Sequence, residues 1–194
     1  MTALLPGPTT TAAVRPRLHR VAGLDISLTG TGIATLGGTT RIPTKGRRKD
    51  TIVQRRNRIK LISDIALTEV GDVDLAVIEG PVAYNTPGGS TWDRAGLWWR
   101  IVDRLTAYGI PVAIVPPTCR AKYATGSGGS RKTAVIDAAQ RRYGALLPTD
   151  DEADALVLRA MGLDWLGQPL AQVPPGNGAA LAGCQWPDLE QVTA

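Results

Sequence analysis

Two short apolar runs, each closed by an acid, constrain this chain more than any other feature. Residues 21–24 read Val-Ala-Gly-Leu and end on Asp25, and residues 75–78 read Leu-Ala-Val-Ile and end on Glu79. Runs this short are too brief for a helix and fit strands buried on both faces, as in a sheet covered by helices. In such sheets the carboxyl ends of the strands carry the binding site. An acid placed straight after a buried run costs several kcal/mol unless it is paired or bound to metal. Glu79 is therefore hard to explain as structure, whereas Asp25 has a plainer alternative, capping the next turn through Ser27 or Thr29.

A third acidic motif, Thr-Asp-Asp-Glu-Ala-Asp-Ala-Leu, covers residues 149–156. Thr149 and Glu152 have the capping-box spacing for a helix over about 150–164. Asp151 and Asp154 stand three apart and share a face of it. Acids in a first turn also serve the helix dipole, a reading that suits Asp150 and Glu152 and competes for Asp151. Asp154 lies deeper, among Ala153, Ala155 and Leu156. Acids gathered in one place repel unless something positive sits among them. The usual solution is a pair of divalent ions about 3.5–4 Å apart, suited to in-line attack on a phosphodiester.

Between these motifs the pattern predicts a strand over 31–36, reached through a Gly/Thr-rich turn, and an edge strand over 39–43 that tolerates Pro43. Asp50 or Thr51 caps a helix with Ile52, Ile59, Ile62 and Ile65 at helical spacing, ended by Gly71. After a strand over 74–78, a helix over 91–108 carries Leu97, Trp98, Trp99, Ile101, Val102 and Leu105, a wider apolar arc than one core face requires. A strand over 111–115 leads to a long Gly-rich loop over 116–130, and Ser130 caps a helix running to Tyr143. Residues 1–19 read as a flexible arm, 20–166 as the folded domain, and 167–194 as a loosely held Pro/Gly-rich tail. The order is β-β-β-α-β-α-β-α-α with acids at two strand ends and one helix start. That is the layout of a ribonuclease H-like α/β fold, a mixed five-stranded sheet flanked by helices.

Charge points the same way. Residues 41–60 hold nine bases against the single acid Asp50, and residues 120–142 hold six against Asp137, so both basic segments flank the acidic motifs. Bases to grip phosphates beside acids to hold metal suit a nuclease, although each segment alone also fits a solvated helix face. Arg47, Arg48, Lys49, Arg55, Arg120 and Arg131 are the candidate DNA contacts on this reading. Cys119 and Cys184 form no C-x-x-C pair and imply neither a zinc site nor a disulfide framework. No apolar run approaches a membrane span and no secretory leader is legible, so the expected location is cytoplasmic, in a bacterial cell or a phage-infected host.

Gly-Leu-Asp-Ile-Ser-Leu-Thr-Gly-Thr-Gly-Ile-Ala (23–34), Val-Ile-Glu-Gly-Pro (77–81), the Pro-Pro-Thr with Lys122 and Gly-Ser-Gly-Gly-Ser-Arg-Lys (126–132), and Asp-Glu-Ala-Asp-Ala-Leu (151–156) together resemble the RuvC-type Holliday-junction resolvases. The resemblance spans roughly residues 20–165. It implies a homodimeric, Mg²⁺-dependent endonuclease, with two ions per site and Mn²⁺ able to substitute, that nicks opposed strands of branched DNA at a four-way junction. Asp25, Glu79, Asp151 and Asp154 become the metal ligands, and the expected products carry 5′-phosphate and 3′-hydroxyl ends. Lys122 and Lys132 match basic positions beside the scissile phosphate, where a cation stabilises developing charge. Generic phosphate contact is the competing role for both. Trp98, Trp99 and Leu105 become dimer-interface anchors, and Tyr84 and Trp92 candidates for stacking on unpaired bases. Val82 stands where bacterial members of the family often carry an aromatic, a departure that leaves cleavage-sequence preference open and suits the relaxed specificity expected of a phage-encoded relative. That leaves strictness for four-way junctions open, and a branch-migration helicase partner unassigned.

Three rivals remain. A nuclease of the same fold acting on forks, flaps or RNA–DNA hybrids differs only in substrate. A sugar-kinase or actin-like phosphotransferase shares the loose D-x-x-x-T-G-T pattern of 25–31 but needs two domains and a second Gly-rich loop, for which 194 residues leave no room. A non-catalytic junction-binding protein has no use for the acids.

Overall fold

The computed structural model describes residues 17–81 and 89–193. Five strands form one sheet: β1 (Val21–Asp25), β2 (Gly30–Thr35), β3 (Gly38–Pro43), β4 (Leu75–Glu79) and β5 (Val112–Val115). Their order is β3-β2-β1-β4-β5. The first three are antiparallel neighbours, and β4 and β5 add on in parallel with β1. The mixed five-stranded sheet matches the expectation, with Pro43 closing an edge strand where its missing N–H costs nothing.

Side-chain parity sorts the two faces, because alternate residues of a strand point opposite ways. Ala22, Leu24, Ile33, Ala76 and Ile78 pack beneath α1 (Ile52–Val70) and α2 (Gly89–Ala107), against Ile62, Leu97, Ile101 and Leu105. Val21, Leu75, Val77, Ala113 and Val115 face the opposite layer. That layer is α3 (Pro117–Thr125), α4 (Lys132–Tyr143) and α5 (Asp150–Trp165). Asp25 is in phase with Val21, and Glu79 with Leu75 and Val77. Both acids therefore turn toward α5, the helix that carries the third motif.

Helix α5 lies nearly on the sheet. A Cβ on Gly23 would run into the Ala155 carbonyl oxygen, and one on Gly32 into that of Asp151. At Gly162 it would stand 2.6 Å from Val77 Cγ2 and 2.8 Å from Val21 Cγ1. Three missing side chains thus set the separation of helix and sheet. The expected cap at Thr149 is present, accepting from the Glu152 N–H while its hydroxyl donates to Glu152 Oε2 at 2.7 Å. Thr51 caps α1 in a capping box with Gln54, and Gly71 closes that helix.

Three expectations are corrected. The stretch 116–130 is not one long loop, since residues 117–125 are the helix α3. Pro117 occupies its first turn, where a missing N–H is harmless, and Gly126 ends it in the left-handed region at φ 90°. Ser130 does not cap α4: Arg131 stands at that position, and the serine hydroxyl instead donates to Ser127 O. The C-terminal segment is packed rather than loosely held. It forms α6 (Pro175–Gly178), a 3₁₀ turn (Ala179–Gly183) and α7 (Leu189–Thr193), with Ala180 and Val192 in the core. Gln185 exchanges backbone hydrogen bonds of 2.8 and 2.9 Å with Ile114, covering the β5 edge. Trp186 stacks on Trp165 with ring centroids 4.9 Å apart. Apolar burial of two tryptophans outweighs the Pro/Gly content from which looseness was expected. At the other end, Arg17 and Arg20 bind Asp74, so the last residues of the expected arm are tied down.

Candidate metal centre

The parallel pairing of β1 and β4 aligns Leu24 with Ile78, which brings the next residues, Asp25 and Glu79, side by side at the strand ends. Asp154, one turn into α5, completes a trio whose ligand oxygens all lie within 4.8 Å of one another. Asp25 is not used by the turn that follows it. There Thr31 Oγ1 accepts from the Ser27 N–H and Ser27 Oγ from the Thr29 N–H, so the local hydroxyls do the capping. Trp98 donates from Nε1 to the Glu79 carbonyl at 3.0 Å and fixes the end of β4.

Burial, followed by the charge of Glu79, pushes the Asp25 carboxyl up from 3.8 to about 8. Arg120 pulls the other way, and Asp151 adds a smaller upward push. A carboxyl this reluctant to ionise marks a buried place where neighbouring negative charge is not fully offset. Three converging carboxylate oxygens are hard donors of the kind that suit a divalent cation such as Mg²⁺. The residues fit the ion, and Asp25, Glu79 and Asp154 could hold it.

Asp151 stands beside the trio but is turned to another partner. Its Oδ2 accepts from Arg41 Nε at 2.6 Å. Arg41 lies opposite Gly32 in the β2–β3 ladder, and it reaches Asp151 across space that a Cβ on Gly30 would fill. Sequence reading missed Arg41; two glycines in the neighbouring strand were the available signal. Asp150 and Glu152 serve structure, Asp150 paired with Lys132 and Glu152 with Thr149 and Thr39.

The acids line one side of an open cleft of about 860 Å³. Lys45, Arg47 and Arg48, on the segment between β3 and α1, form another part of its wall, and Lys132 a third. Arg55 lines it too, held to Asp93 on α2 by hydrogen bonds of 2.6 and 2.8 Å. Arg58 staples the wall in place by donating to Leu28 O and Thr44 Oγ1. Arg120, expected as a DNA contact, sits deepest. Its guanidinium reaches both Glu79 and Asp154, and its side chain is only 12% exposed.

The remaining candidates fall elsewhere. Lys49, Lys122 and Arg131 are exposed and do not line the cleft. Lys122 follows Arg120 by two positions, roughly 200° around the helix, so it turns away from the acids. Tyr84 lies outside the described residues. On α2 the wide apolar arc splits in two: Leu97, Ile101 and Leu105 are fully buried in this chain's own core, while Trp99 is 64% exposed and Trp92 81%. Leu105 is therefore corrected as an interface anchor, because no surface of it is left to offer. Trp98 meets Trp99 edge to face with centroids 4.9 Å apart. Among the described residues no helix is long and apolar enough to cross a membrane.

No protein-family model matches the chain, and no curated protein matches it in sequence. Solved structures do. Thermus thermophilus RuvC superposes with a TM-score of 0.57 at 17% identity, over 80% of this chain and 99% of that one. T. thermophilus RuvC in complex with Holliday junction substrate superposes with a TM-score of 0.60 at 16% identity, over the same shares of the two chains. At such identity the likeness speaks for architecture, and the architecture is plain: this chain has the ribonuclease H-like fold, built as in RuvC.

Proposed function

We propose that this protein is a metal-dependent, structure-selective DNA endonuclease that acts as a homodimer and resolves four-way junctions by paired nicks. The observation that carries this reading is the convergence of Asp25, Glu79 and Asp154 in the lining of a cleft that bases line as well. A bound divalent cation supplies an activated water and neutralises charge on the phosphate. The chain's own residues do the rest. Lys45, Arg47 and Arg48 draw the phosphate backbone into the cleft, a sequence-independent attraction that weakens with salt. Lys132, held by Asp150, places a positive charge at the cleft wall beside the acids. The close seating of α5 on Gly23 and Gly32 keeps Asp154 in register with the two strand-end acids. RuvC has been captured with a Holliday junction, and its fold is shared here, which favours a four-way substrate over a linear one. An exposed Trp99 on the outer face of α2 suits a two-fold contact that would present two sites to one junction.

The test is a set of labelled substrates (four-way junction, fork, linear duplex and RNA–DNA hybrid), each with Mg²⁺ or with EDTA. Symmetrical Mg²⁺-dependent nicks confined to the junction are expected. Equal cutting of forks would make it a general branch nuclease, and tight binding without cutting in any metal would end the catalytic reading. Asp25→Asn should abolish cutting and leave junction binding intact, because it removes negative charge near the phosphate.

A further inference from the structure

Arg120 occupies an unusual place for a nucleic-acid contact. Its Nε lies 3.2 Å from Glu79 Oε2, its NH2 group donates to Glu79 Oε1 at 3.3 Å, and its NH1 group donates to Asp154 Oδ1. These are two of the three carboxylates that converge with Asp25. A guanidinium seated on these carboxylates opposes a divalent cation at the same place, since both draw on carboxylate lone pairs and the two positive charges repel. The seat is also imperfect: Arg120 Nε is buried without an aligned hydrogen bond despite its nearness to Glu79. Around it the backbone of α3 is well anchored. Arg142 donates to Tyr123 O and Ala124 O at 2.9 Å, and Asn177 to Tyr123 O at 3.0 Å. The helix backbone is held by these contacts, while the side chain lines the open cleft.

We propose that Arg120 is the built-in counter-ion of the metal-free centre, displaced when a divalent cation binds and thereby freed to grip a phosphate of the substrate. This rests on the metal-dependent reading above and deepens it. A guanidinium stripped of its carboxylates in a cleft is matched by a phosphate, which it binds through two parallel hydrogen bonds. Loading with metal and binding of the phosphodiester would then be coupled through one side chain, so that grip comes only once the centre is charged.

The experiment uses the full chain as wild type, Arg120→Met and Arg120→Lys, with Mn²⁺ binding followed by titration calorimetry and electron paramagnetic resonance. Arg120→Met should bind Mn²⁺ about tenfold more tightly than wild type, because no ion pair has to be broken first. It should also melt lower in EDTA, where its acids lack a partner, and regain that loss in Mn²⁺. Arg120→Lys keeps a charge that cannot span both acids and should fall between; it serves as the informative variant if Arg120→Met does not fold. In Ca²⁺, wild type should gain affinity for a fluorescent four-way junction relative to EDTA, and Arg120→Lys should gain less. Equal Mn²⁺ affinity in all three proteins overturns the counter-ion role and leaves the metal centre standing. An equal Ca²⁺-dependent gain overturns the coupling to phosphate. Failure of every protein to bind Mn²⁺ overturns the metal centre and this inference together.

Discussion

Strands β1 and β4 run side by side with Asp74 just before β4 and Asp25 and Glu79 at the far end of the pair, yet the two ends are electrostatic opposites. At the start of β4, burial alone would raise Asp74, but hydrogen bonds from the Arg20 backbone and guanidinium, with the charge of Arg17, hold its carboxyl below the usual range. At the far end Asp25, Glu79 and Asp154 share one guanidinium, and Asp25 is pushed up to about 8. One end has more donors than its acid needs; the other has more acids than its donors can settle. The first arrangement tightens a fold, and the second leaves an excess of negative charge that a cation could offset. Both ends offer carboxylates on one pair of neighbouring strands, so the difference lies in what the neighbouring elements bring.

The comparison breaks most visibly if acids at the two ends respond alike to removal. Glu79→Gln should lower Mg²⁺-dependent nicking of a four-way junction by about a thousandfold, equivalent to roughly 4 kcal/mol. Thermal melting in EDTA should meanwhile hold steady or rise, because a repulsion has gone; a large fall in melting temperature would make Glu79 a structural acid. Asp74→Ala should do the reverse. It should cost about 2 kcal/mol in denaturant unfolding, discounted from a fully buried pair because its arginine partners are half-exposed, and leave the activity of the folded fraction unchanged.

Acidity should separate the ends next. Between about pH 4 and about pH 8 the unfolded chain releases an Asp25 proton that the metal-free fold retains. Stability in EDTA should therefore decline as pH rises through that window, and Asp25→Asn should flatten the decline. Asp74 acts on the other side: with its folded pKa depressed, its contribution is present above the ordinary carboxylate value and is lost only as pH falls below it. A metal-free protein whose stability is level from pH 5 to pH 8 would contradict the assignment of Asp25. The smallest effect belongs to a lysine at neither end. Lys122→Ala should change the nicking rate by less than about twofold, whereas Lys132→Ala, in the cleft, should lower it by about tenfold. Equal losses would mean that substrate reaches round α3.

Much of this arrangement was legible before any coordinates. Short apolar runs ended by acids located β1, β4 and both strand-end carboxylates, because a continuous apolar run and the acid that closes it are local properties of a sequence. The place of Arg120 was not legible. With residues 117–125 read as a loop between Pro-Pro and a Gly-rich stretch, no helix phase existed to tell Arg120 from Lys122. A proline at the first turn and a glycine past the last were the missed signals. The pairing of Arg41 with Asp151 spans two elements far apart in the chain, and Gly30 and Gly32, which leave room for it, do not by themselves name the partners. Leu105 shows a third kind of limit. A wide apolar arc on α2 does not say which of its residues face this chain's own core and which face solvent.

Gly23, Gly32 and Gly162 bring α5 almost into contact with the sheet, and this has a consequence for anyone who would engineer the protein. Ordinary stabilising practice replaces glycines in strands and helices with alanine to stiffen the chain. Here each replacement would act as a shim between two machined surfaces, lifting the helix off its seat. Asp154 would rise with it, away from Asp25 and Glu79. The clearance works as a tolerance in which an added methyl group is already too much, and a sturdier molecule made that way would come at the expense of the alignment of its three acids.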